Sequence, residues 1–179
     1  MPRILDILLS LFALLILFPF FIPIIIILLF SGEHKVFYLQ KRVGFKNKNF
    51  QIIKFATMLS NSANMGSGSL TLKNDPRVLP FGSFLRRTKI NELPQILNII
   101  IGDLSIVGPR PQMRVDFEKY SDEIKKNIYN VRPGLTGIGS IIFRDEESLI
   151  SNAAESENPH DFYKRVIAPY KGELEMWYQ

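Results

Sequence analysis

Two short stretches of the sequence carry side chains suited to binding a phosphate group. Asn91 and Glu92 stand just before Pro94, a residue favoured in the first turn of a helix. They are therefore expected at a helix N-terminus, where free backbone N–H groups and the helix dipole attract a phosphate or a carboxylate. In the stretch 108–111, two prolines restrict the backbone around Arg110, which lowers the entropy lost when its guanidinium binds phosphate oxygens. A Pro-Arg-Pro turn is more often only a loop, so this second stretch is not specific by itself.

A basic cluster lies between Ser31 and Phe55, with Glu33 as its single acid. Its members are Lys35, Lys41, Arg42, Lys46, Lys48 and Lys54. The chain has a net charge of +5, and this cluster directly follows an apolar segment. That arrangement is typical of attraction to anionic lipid headgroups on the cytoplasmic side of a membrane. A nucleic-acid patch is the alternative, because aromatic residues are interleaved with the cations, but it gives no reason for the adjacent apolar segment.

The apolar segment from Ile7 to Phe30 has no charged residue, and Ser10 is its one polar side chain. Its roughly two dozen residues are enough to cross the ~30 Å core of a bilayer. The sequence therefore predicts membrane contact. A cleaved signal peptide is the alternative, but it would need a shorter apolar core followed by a small-residue cleavage site, which residues 30–34 match poorly.

Two prolines one helical turn apart, Pro19 and Pro23, lie inside this segment. Each removes a backbone donor and clashes with the carbonyl four residues earlier, at about 3 kcal/mol in a helix interior, so we expect a sharp bend. Arg3 precedes the segment and the basic cluster follows it, so the positive-inside tendency places both ends in the cytoplasm. We predict a re-entrant helix–break–helix, with a kinked single-pass helix as the alternative.

At 179 residues the chain has room for one domain besides this anchor. We predict an α+β fold, in which a re-entrant membrane helix (residues 1–31) is attached to a compact, mostly helical cytoplasmic domain (residues 32–179) with a small β-hairpin. The expected elements are strands at 35–40 and 50–55, a mobile loop at 61–74 that could close over substrate, helices within 78–101 interrupted at 92–94, an amphipathic helix from Met113 to Ile128, a loop or short helix at 146–157, and a closing helix at 162–179 broken near Pro169. The chain has no cysteine, which excludes thiol catalysis and Cys-ligated zinc.

Several short motifs follow one another along the chain. They are Lys54-Phe55-x-Thr57-Met58, Asp75-Pro76-Arg77, Gly82-x-Phe84-Leu85-Arg86-Arg87-Thr88, Glu92-Leu93-Pro94-Gln95, the stretch 102–111 and the stretch 132–137. Each motif alone is common. In this order, over most of the chain from Arg3 to about Gly139, they resemble the bacterial sugar transferase family, the small monotopic phosphoglycosyl transferases.

The resemblance implies a phosphoglycosyl transferase at the cytoplasmic face of the bacterial inner membrane that depends on Mg²⁺. In the implied scheme a carboxylate attacks the β-phosphate of a UDP-sugar and releases UMP, and undecaprenyl (polyprenyl) phosphate then takes the phosphosugar. This is the first membrane step in the assembly of exopolysaccharide, lipopolysaccharide O-antigen or glycoprotein glycan. The other implied partners are membrane lipids, downstream glycosyltransferases and, as a further option, a second copy of the chain in a homodimer. No nucleic acid is expected.

The resemblance also implies roles for individual residues. Asn91 stands at the nucleophile position, and Glu92 is the carboxylate linked to the metal, with Lys54 as a further catalytic residue. The candidate phosphate contacts are Arg77, Arg110, Arg86 and Arg87. Surface or structural charges are the alternative for these cations, and Arg86 and Arg87 could contact lipid headgroups instead. Glu175 lies near a further acidic position of the family.

The sequence departs from the family pattern at Asn91, because members usually carry an adjacent Asp-Glu pair with the Asp as nucleophile. An amide is a poor nucleophile and a neutral metal ligand. The substitution could be an engineered inactivation, or it could mark a natural subgroup that uses Glu92 or another carboxylate, such as Asp103 or Asp75. The chain could also be a catalytically impaired homologue that acts as a membrane-surface scaffold for glycan-assembly enzymes. We favour the natural subgroup.

Overall fold

The structure, a computed structural model, describes residues 2–66, 68 and 70–177. The helices are α1 (Arg3–Phe30), α2 (Pro80–Arg87), α3 (Gln95–Ile101), α4 (Arg114–Phe117), α5 (Asp122–Asn127), α6 (Ile138–Ile142), α7 (Glu146–Ala153), α8 (Pro159–Phe162) and α9 (Ala168–Trp177). The strands are β1 (Phe37–Val43), β2 (Asn49–Phe55), β3 (Ser105–Val107) and β4 (Gly134–Thr136). This confirms a mixed fold of helices and small sheets with an apolar N-terminal helix.

Helix α1 packs against the domain along one face and leaves its other face exposed. The packed face repeats every three or four residues and consists of Asp6, Ser10, Leu14, Leu17, Phe21, Ile24, Ile25 and Leu28. The outer face is apolar, with Leu15 75% and Phe30 82% exposed. Within the part of the chain that the structure describes, α1 is the one helix long and apolar enough to cross a membrane. So large an apolar surface is suited to lipid rather than to water.

Both ends of α1 contact the same domain. Near its start, the Arg3 guanidinium donates a hydrogen bond to the carbonyl oxygen of Ile100 at 3.0 Å, and the Asp6 carboxylate accepts one from the Ser105 hydroxyl at 2.8 Å. Near its end, Leu28 is buried in a cluster that includes residues of β2 and α2. A helix of this length is about 42 Å long, so the domain extends beside it and neither end projects away from the domain.

The structure does not confirm the predicted break at Pro19 and Pro23. Residues Arg3–Phe30 form one continuous helix that contains both prolines. Phe21, between the prolines, and Leu28, after them, are buried in one cluster, and this packing favours the helical path even though each proline removes a backbone donor. Whether α1 enters and leaves the membrane on one side stays a prediction.

The strands β1 and β2 form the predicted antiparallel hairpin, although β1 begins and ends a few residues later than predicted and β2 begins one residue earlier. In its register Tyr38 lies opposite Lys54, and Gln40 opposite Ile52. Side chains directly opposite each other point to the same face of a sheet, and every second residue along a strand shares that face. One face of the hairpin therefore presents Tyr38, Gln40 and Arg42 together with Ile52 and Lys54.

Helix α3 packs on this hairpin through its buried amide residue. The Asn98 side chain accepts a hydrogen bond from the Ile53 N–H at 2.9 Å and donates one to the Gln51 carbonyl at 2.7 Å. The Asn98 side chain therefore provides hydrogen-bond partners for backbone groups on the edge of β2 that faces away from β1. The predicted interruption of the 78–101 region is confirmed, because a 3₁₀ turn at Ile90–Glu92 and then Pro94 separate α2 from α3.

The turn predicted at 108–111 directly follows a strand, and a second strand lies within the motif at 132–137. Strands β3 and β4 form a short parallel pair. The two chains approach closely here, because a Cβ added at Gly134 would lie 2.1 Å from the Gly108 nitrogen. Only glycine permits this contact, which fixes the Arg110 turn beside β4.

The prediction of a single amphipathic helix from Met113 to Ile128 is wrong, because this region forms two helices, α4 and α5. Ser121 starts the second one, since its hydroxyl accepts a bond from the Ile124 N–H at 3.4 Å and caps α5. The apolar residues still reach the core as predicted. Phe117, Tyr120, Ile124 and Ile128 are all buried in one cluster with residues of the C-terminal helices.

The closing region is helical from α8 to α9, without the predicted break near Pro169. A π-helical turn at Tyr163–Ile167 precedes α9, and its wider spacing accommodates a proline that has no N–H to donate. The predicted end at Gln179 lies outside the described residues, as do two residues of the predicted loop at 61–74. The predicted segment at 146–157 contains α7.

Candidate active site

The structure brings together three of the residues singled out in the sequence. Glu92 ends the 3₁₀ turn before α3, Lys54 is near the end of β2, and Arg110 lies in the turn after β3. One carboxylate oxygen of Glu92 is 2.9 Å from the Lys54 Nζ and 3.3 Å from the Arg110 guanidinium. Two cations from distant parts of the sequence therefore share one carboxylate.

These charges alter one another's titration. Burial alone would raise the pKa of the Glu92 carboxyl, but the charges of Lys54 and Arg110 outweigh it and hold that pKa well below its ordinary value. Burial lowers the pKa of Lys54 to about 8, and the neighbouring Glu92 charge limits the decrease. The Glu92 charge raises the pKa of Arg110. At neutral pH all three groups are ionised.

Arg42 is a further cation of this cleft, and it was predicted only as a lipid contact. Its guanidinium donates to the Gln40 side chain at 2.6 Å and to the Pro111 carbonyl at 3.2 Å. The lining of the cleft includes Arg42, Lys54, Gln95, Arg110, Pro111 and Gly134. Side chains alternate between the two faces of the hairpin, and this alternation places Arg42 and Lys54 on one face. That pattern could have identified Arg42 as a cation of the cleft from the sequence.

Asn91 lies beside Glu92 in the same turn and is buried, with 6% of its surface exposed. Its carbonyl oxygen Oδ1 has no hydrogen-bond partner among the described residues. A buried oxygen without a partner costs free energy, at about 1–3 kcal/mol. This atom is therefore available to a ligand or cation that the protein binds.

The oxygen donors near Glu92 suit Mg²⁺ when a substrate phosphate completes the coordination of the metal. The Glu92 carboxylate and the Asn91 oxygen are hard oxygen donors on adjacent residues. The described residues contain no group of three or more acidic, histidine or cysteine side chains that could enclose a metal. Mg²⁺ is commonly bound by one or two carboxylates together with substrate phosphates and water. The residues present fit a metal shared with a phosphorylated substrate rather than one enclosed by protein.

Arg77 is not brought into the cleft. It is 3% exposed, paired with the Asp75 carboxylate at 2.6 Å, and its guanidinium also donates to several backbone carbonyls of the preceding loop. The carbonyls belong to Ser62, Met65, Gly68 and Leu70. Of its two predicted roles, the geometry favours the structural one, in which Arg77 holds the loop rather than a phosphate. Asp75 is committed to the same ion pair, which argues against its use as a nucleophile.

The remaining candidates also lie apart from the Glu92 ion pairs. Arg86 on α2 pairs with Glu147 at 3.7 Å, and Arg87 is exposed on the same helix. Asp103 follows the C-terminal end of α3, whereas Glu92 precedes the N-terminus of that helix. The Asp103 carboxylate accepts a hydrogen bond from the Asn98 amide at 3.2 Å. Glu92 is therefore the carboxylate of this set that meets the cations of the cleft.

The Arg110 turn is fixed by polar groups of which the sequence analysis named only Glu175, without a contact. Glu175 on α9 is fully buried and accepts a hydrogen bond from the Arg110 N–H at 3.1 Å, and burial raises the pKa of its carboxyl. The Tyr129 hydroxyl donates to the Arg110 carbonyl at 2.8 Å. The buried Lys171 forms a further ion pair nearby with Glu146, which is partly exposed. Arg110 is thus positioned through both backbone groups.

Comparison with known proteins gives a consistent result. A family model described as bacterial sugar transferase matches residues 1–164. The exopolysaccharide production protein ExoY of Sinorhizobium fredii is 37% identical over 163 residues, which cover 83% of this chain and 72% of that protein.

Two further relatives carry names that state an activity. The UDP-glucose:undecaprenyl-phosphate glucose-1-phosphate transferase of Xanthomonas campestris is 38% identical over 135 residues, or 74% of this chain and 28% of that protein. A protein of Bacillus subtilis, named as a putative undecaprenyl-phosphate N-acetylgalactosaminyl 1-phosphate transferase, is 38% identical over 122 residues, or 68% of each chain.

Proposed function

The chain belongs to the bacterial sugar transferase family, and we propose that it transfers a sugar 1-phosphate from a UDP-sugar to undecaprenyl phosphate, with release of UMP. The observation that carries the proposal is the Glu92 carboxylate, held between the Lys54 ammonium and the Arg110 guanidinium in a cleft of the domain that follows α1. Both proposed substrates are phosphate esters, and the cleft is lined by cations.

The cations bind and orient the diphosphate of the sugar nucleotide. Arg110 has a planar fork that suits two phosphate oxygens, and hydrogen bonds to both of its backbone groups hold it in place. Lys54 and Arg42 face the same cleft. Fixed positive charges offset the negative charge that accumulates on phosphoryl oxygens during transfer, which is the main requirement of this chemistry.

Glu92 is the nucleophile that the geometry supports best. Its carboxylate is ionised at neutral pH and lies among the cations, whereas the amide of Asn91 is a poor nucleophile. In the first step a Glu92 oxygen bonds to the β-phosphorus as the bond to the UMP oxygen breaks, and UMP leaves. In the second step the phosphate of the lipid carrier attacks the same phosphorus and frees the carboxylate. This favours the interpretation of a natural subgroup.

Mg²⁺ fits the site as a cofactor, and Glu92 and the Asn91 oxygen are the groups that would hold it. When bound it would supply charge neutralisation on the diphosphate as a Lewis acid. Asn91 then acts as a neutral oxygen donor beside the nucleophile, which gives its buried unpartnered atom a role.

Helix α1 supplies the membrane attachment that a lipid substrate requires. Its apolar outer face is suited to the bilayer, and both of its ends contact the domain that carries the cleft. The basic residues after it favour the anionic cytoplasmic face of the inner membrane. We place the reaction at that face, as an early step of exopolysaccharide assembly, because a relative is named for exopolysaccharide production.

The test is release of UMP from a panel of UDP-sugars in the presence of undecaprenyl phosphate and Mg²⁺. We expect release with at least one UDP-sugar, and a decrease of at least 100-fold for Glu92→Gln, since a carboxylate nucleophile is lost. Asn91→Asp is measured beside them. A gain of activity that appears only with Asp would show that Asn91 is a disabling residue, and no release from either protein would favour a membrane-surface scaffold instead.

A further inference from the structure

Arg42 is held in the cleft by neutral groups rather than by a carboxylate. Its guanidinium donates two hydrogen bonds to the Gln40 side-chain oxygen, at 2.6 and 3.1 Å, and one to the Pro111 carbonyl oxygen at 3.2 Å. Among the residues that the structure describes, no carboxylate forms an ion pair with it. Arg42 therefore lacks the charge partner that Glu92 provides to the other two cations of the cleft.

The positive charge of Arg42 is thus uncompensated in a partly buried position. Burial, followed by the charge of Arg110, lowers the pKa of Arg42, and the charges of Asp116 and Glu92 offset this decrease only in part. A guanidinium nevertheless stays protonated at neutral pH. Because burial of an unpaired charge costs free energy, binding of an anion beside Arg42 is favoured.

The guanidinium of Arg42 also keeps free hydrogen-bond donors. The bonds to Gln40 and Pro111 use three of its five N–H groups, which leaves one on each of the two terminal nitrogens. Two such groups can bind two oxygens of one phosphate. Arg42 lines the cleft and is partly exposed. These two donors are therefore available to a phosphate that binds in the cleft.

Gln40 orients Arg42 without cancelling its charge. The two residues are separated by one position in β1, so their side chains share a face of the hairpin. The Gln40 amide is itself fixed, because its NH₂ group donates to the Met113 sulfur at 3.3 Å. A glutamate at position 40 could accept the same bonds from Arg42, but its negative charge would neutralise the guanidinium. A neutral amide keeps the charge available to a ligand.

We propose that Arg42, oriented by Gln40, binds the α-phosphate of the sugar nucleotide and holds that phosphate as UMP departs. The inference rests on the proposed function, because it assigns the leaving group of that reaction to one side chain. When a Glu92 oxygen bonds to the β-phosphorus, the electron pair of the broken P–O bond stays on the oxygen of UMP, which gains negative charge. The positive charge of Arg42 offsets it.

The position of Arg42 suits the leaving group rather than the attacked phosphorus. Glu92 pairs with Lys54 and Arg110 but not with Arg42. In the hairpin Lys54 lies opposite Tyr38, four residues before Arg42, so the two backbone positions are about 14 Å apart along the sheet. The attacking and leaving oxygens lie roughly in line on opposite sides of the phosphorus. A cation that serves the leaving group therefore has to lie away from Glu92, as Arg42 does.

Titration of the full chain in detergent with UMP, followed by calorimetry, tests the proposal without turnover. Gln40→Glu keeps the size of the side chain and its bonds to Arg42 but adds a negative charge, so we expect the affinity for UMP to fall at least about tenfold. If Gln40 had only a structural role, this change would be tolerated, because a carboxylate pairs with Arg42 more strongly than an amide does. Arg42→Gln removes the cation and should weaken UMP binding to a similar extent.

Lys41→Gln is the matched control. It removes one positive charge from the residue next to Arg42, but on the opposite and exposed side of the strand. We expect its affinity for UMP to change less than about twofold, because exposed charges are well screened.

Three results would overturn the proposal. The first is an absence of UMP binding to the wild type, and the second is unchanged affinity in either Gln40→Glu or Arg42→Gln when its thermal unfolding matches the wild type. The third is an equal loss in Lys41→Gln, which would indicate general attraction of anions. Because the titration is independent of catalysis, the expected losses without UMP release from any UDP-sugar would contradict the proposed function alone. UMP release with unaltered UMP affinity in the variants would contradict this inference alone.

Discussion

Among the residues proposed to act in the cleft, Lys54 is the one whose charge changes closest to neutral pH. Burial lowers its pKa from an ordinary value of 10.5 to about 8. In the folded protein Lys54 therefore loses its proton as the pH rises through about 8, which removes one of the cations proposed to bind phosphate. We predict that kcat/KM for UMP release falls as the pH rises above 8.

Lys54→Arg is the control for this prediction, because a guanidinium stays protonated throughout that range. The variant should lose activity at neutral pH because the geometry of the cation changes. Its kcat/KM for UMP release should nevertheless stay constant between pH 7 and 9, roughly one unit either side of the Lys54 pKa, where the lysine charge changes most. An identical decline above pH 8 in the variant would assign the pH dependence to another group.

Sequence reasoning found the residues of the ion-pair cluster but not their supports. Glu92 could be identified because it stands at a predicted helix start, and Arg110 because prolines flank it in a turn. Lys54 was identified as catalytic from the family resemblance. Arg77 shows the limit of such reasoning, because its motif does not reveal that its guanidinium is buried under a loop. The Glu146–Lys171 pair was missed because an ion pair between distant segments leaves no local sequence pattern.

At the scale of elements, the start of α1 is attached to β3 by a buried polar contact. Asp6 is 2% exposed and accepts hydrogen bonds from the Ser105 hydroxyl and the Ile106 N–H. Asp6→Leu leaves those donors buried without an acceptor, so we predict a loss of about 2 kcal/mol in the free energy of unfolding.

The measurement is chemical denaturation of the full chain in detergent, with Ile4→Ala as the control. Ile4 lies in the same turn of α1 but is exposed, so its truncation should cost little. Equal effects of the two substitutions would show that the Asp6 contact contributes nothing to stability.

The elements that sequence patterns predicted best are those with several repeats of their period. The hairpin and the long apolar helix have such patterns. Strands β3 and β4 have three residues each, too few for alternation to be recognised. Their pairing depends on the close approach of Gly108 and Gly134, which are distant in sequence. The division of the predicted 113–128 helix depends on a single serine cap, which amphipathic spacing does not reveal.

At the scale of the whole molecule, the contacts of α1 predict its topology. Both ends of the helix contact the domain, so we expect both to face the cytoplasm. The chain has no cysteine, which permits single labels at Pro2→Cys and Glu33→Cys on either side of α1. In spheroplasts, a maleimide that does not cross membranes should label neither position until the membrane is disrupted. Labelling of Pro2→Cys alone in intact spheroplasts would indicate a helix that spans the membrane.

The fate of the β-phosphate of the UDP-sugar tests most directly whether this protein transfers a sugar 1-phosphate. The chain is incubated with Mg²⁺, undecaprenyl phosphate and a UDP-sugar that carries ³²P at the β-position, and the lipid is extracted. Transfer of a sugar 1-phosphate predicts that the label enters the lipid fraction with the sugar, that UMP is unlabelled, and that Glu92→Gln abolishes the transfer. Label that remains in released UDP, with the sugar alone on the lipid, would contradict phosphosugar transfer by the Glu92 cleft.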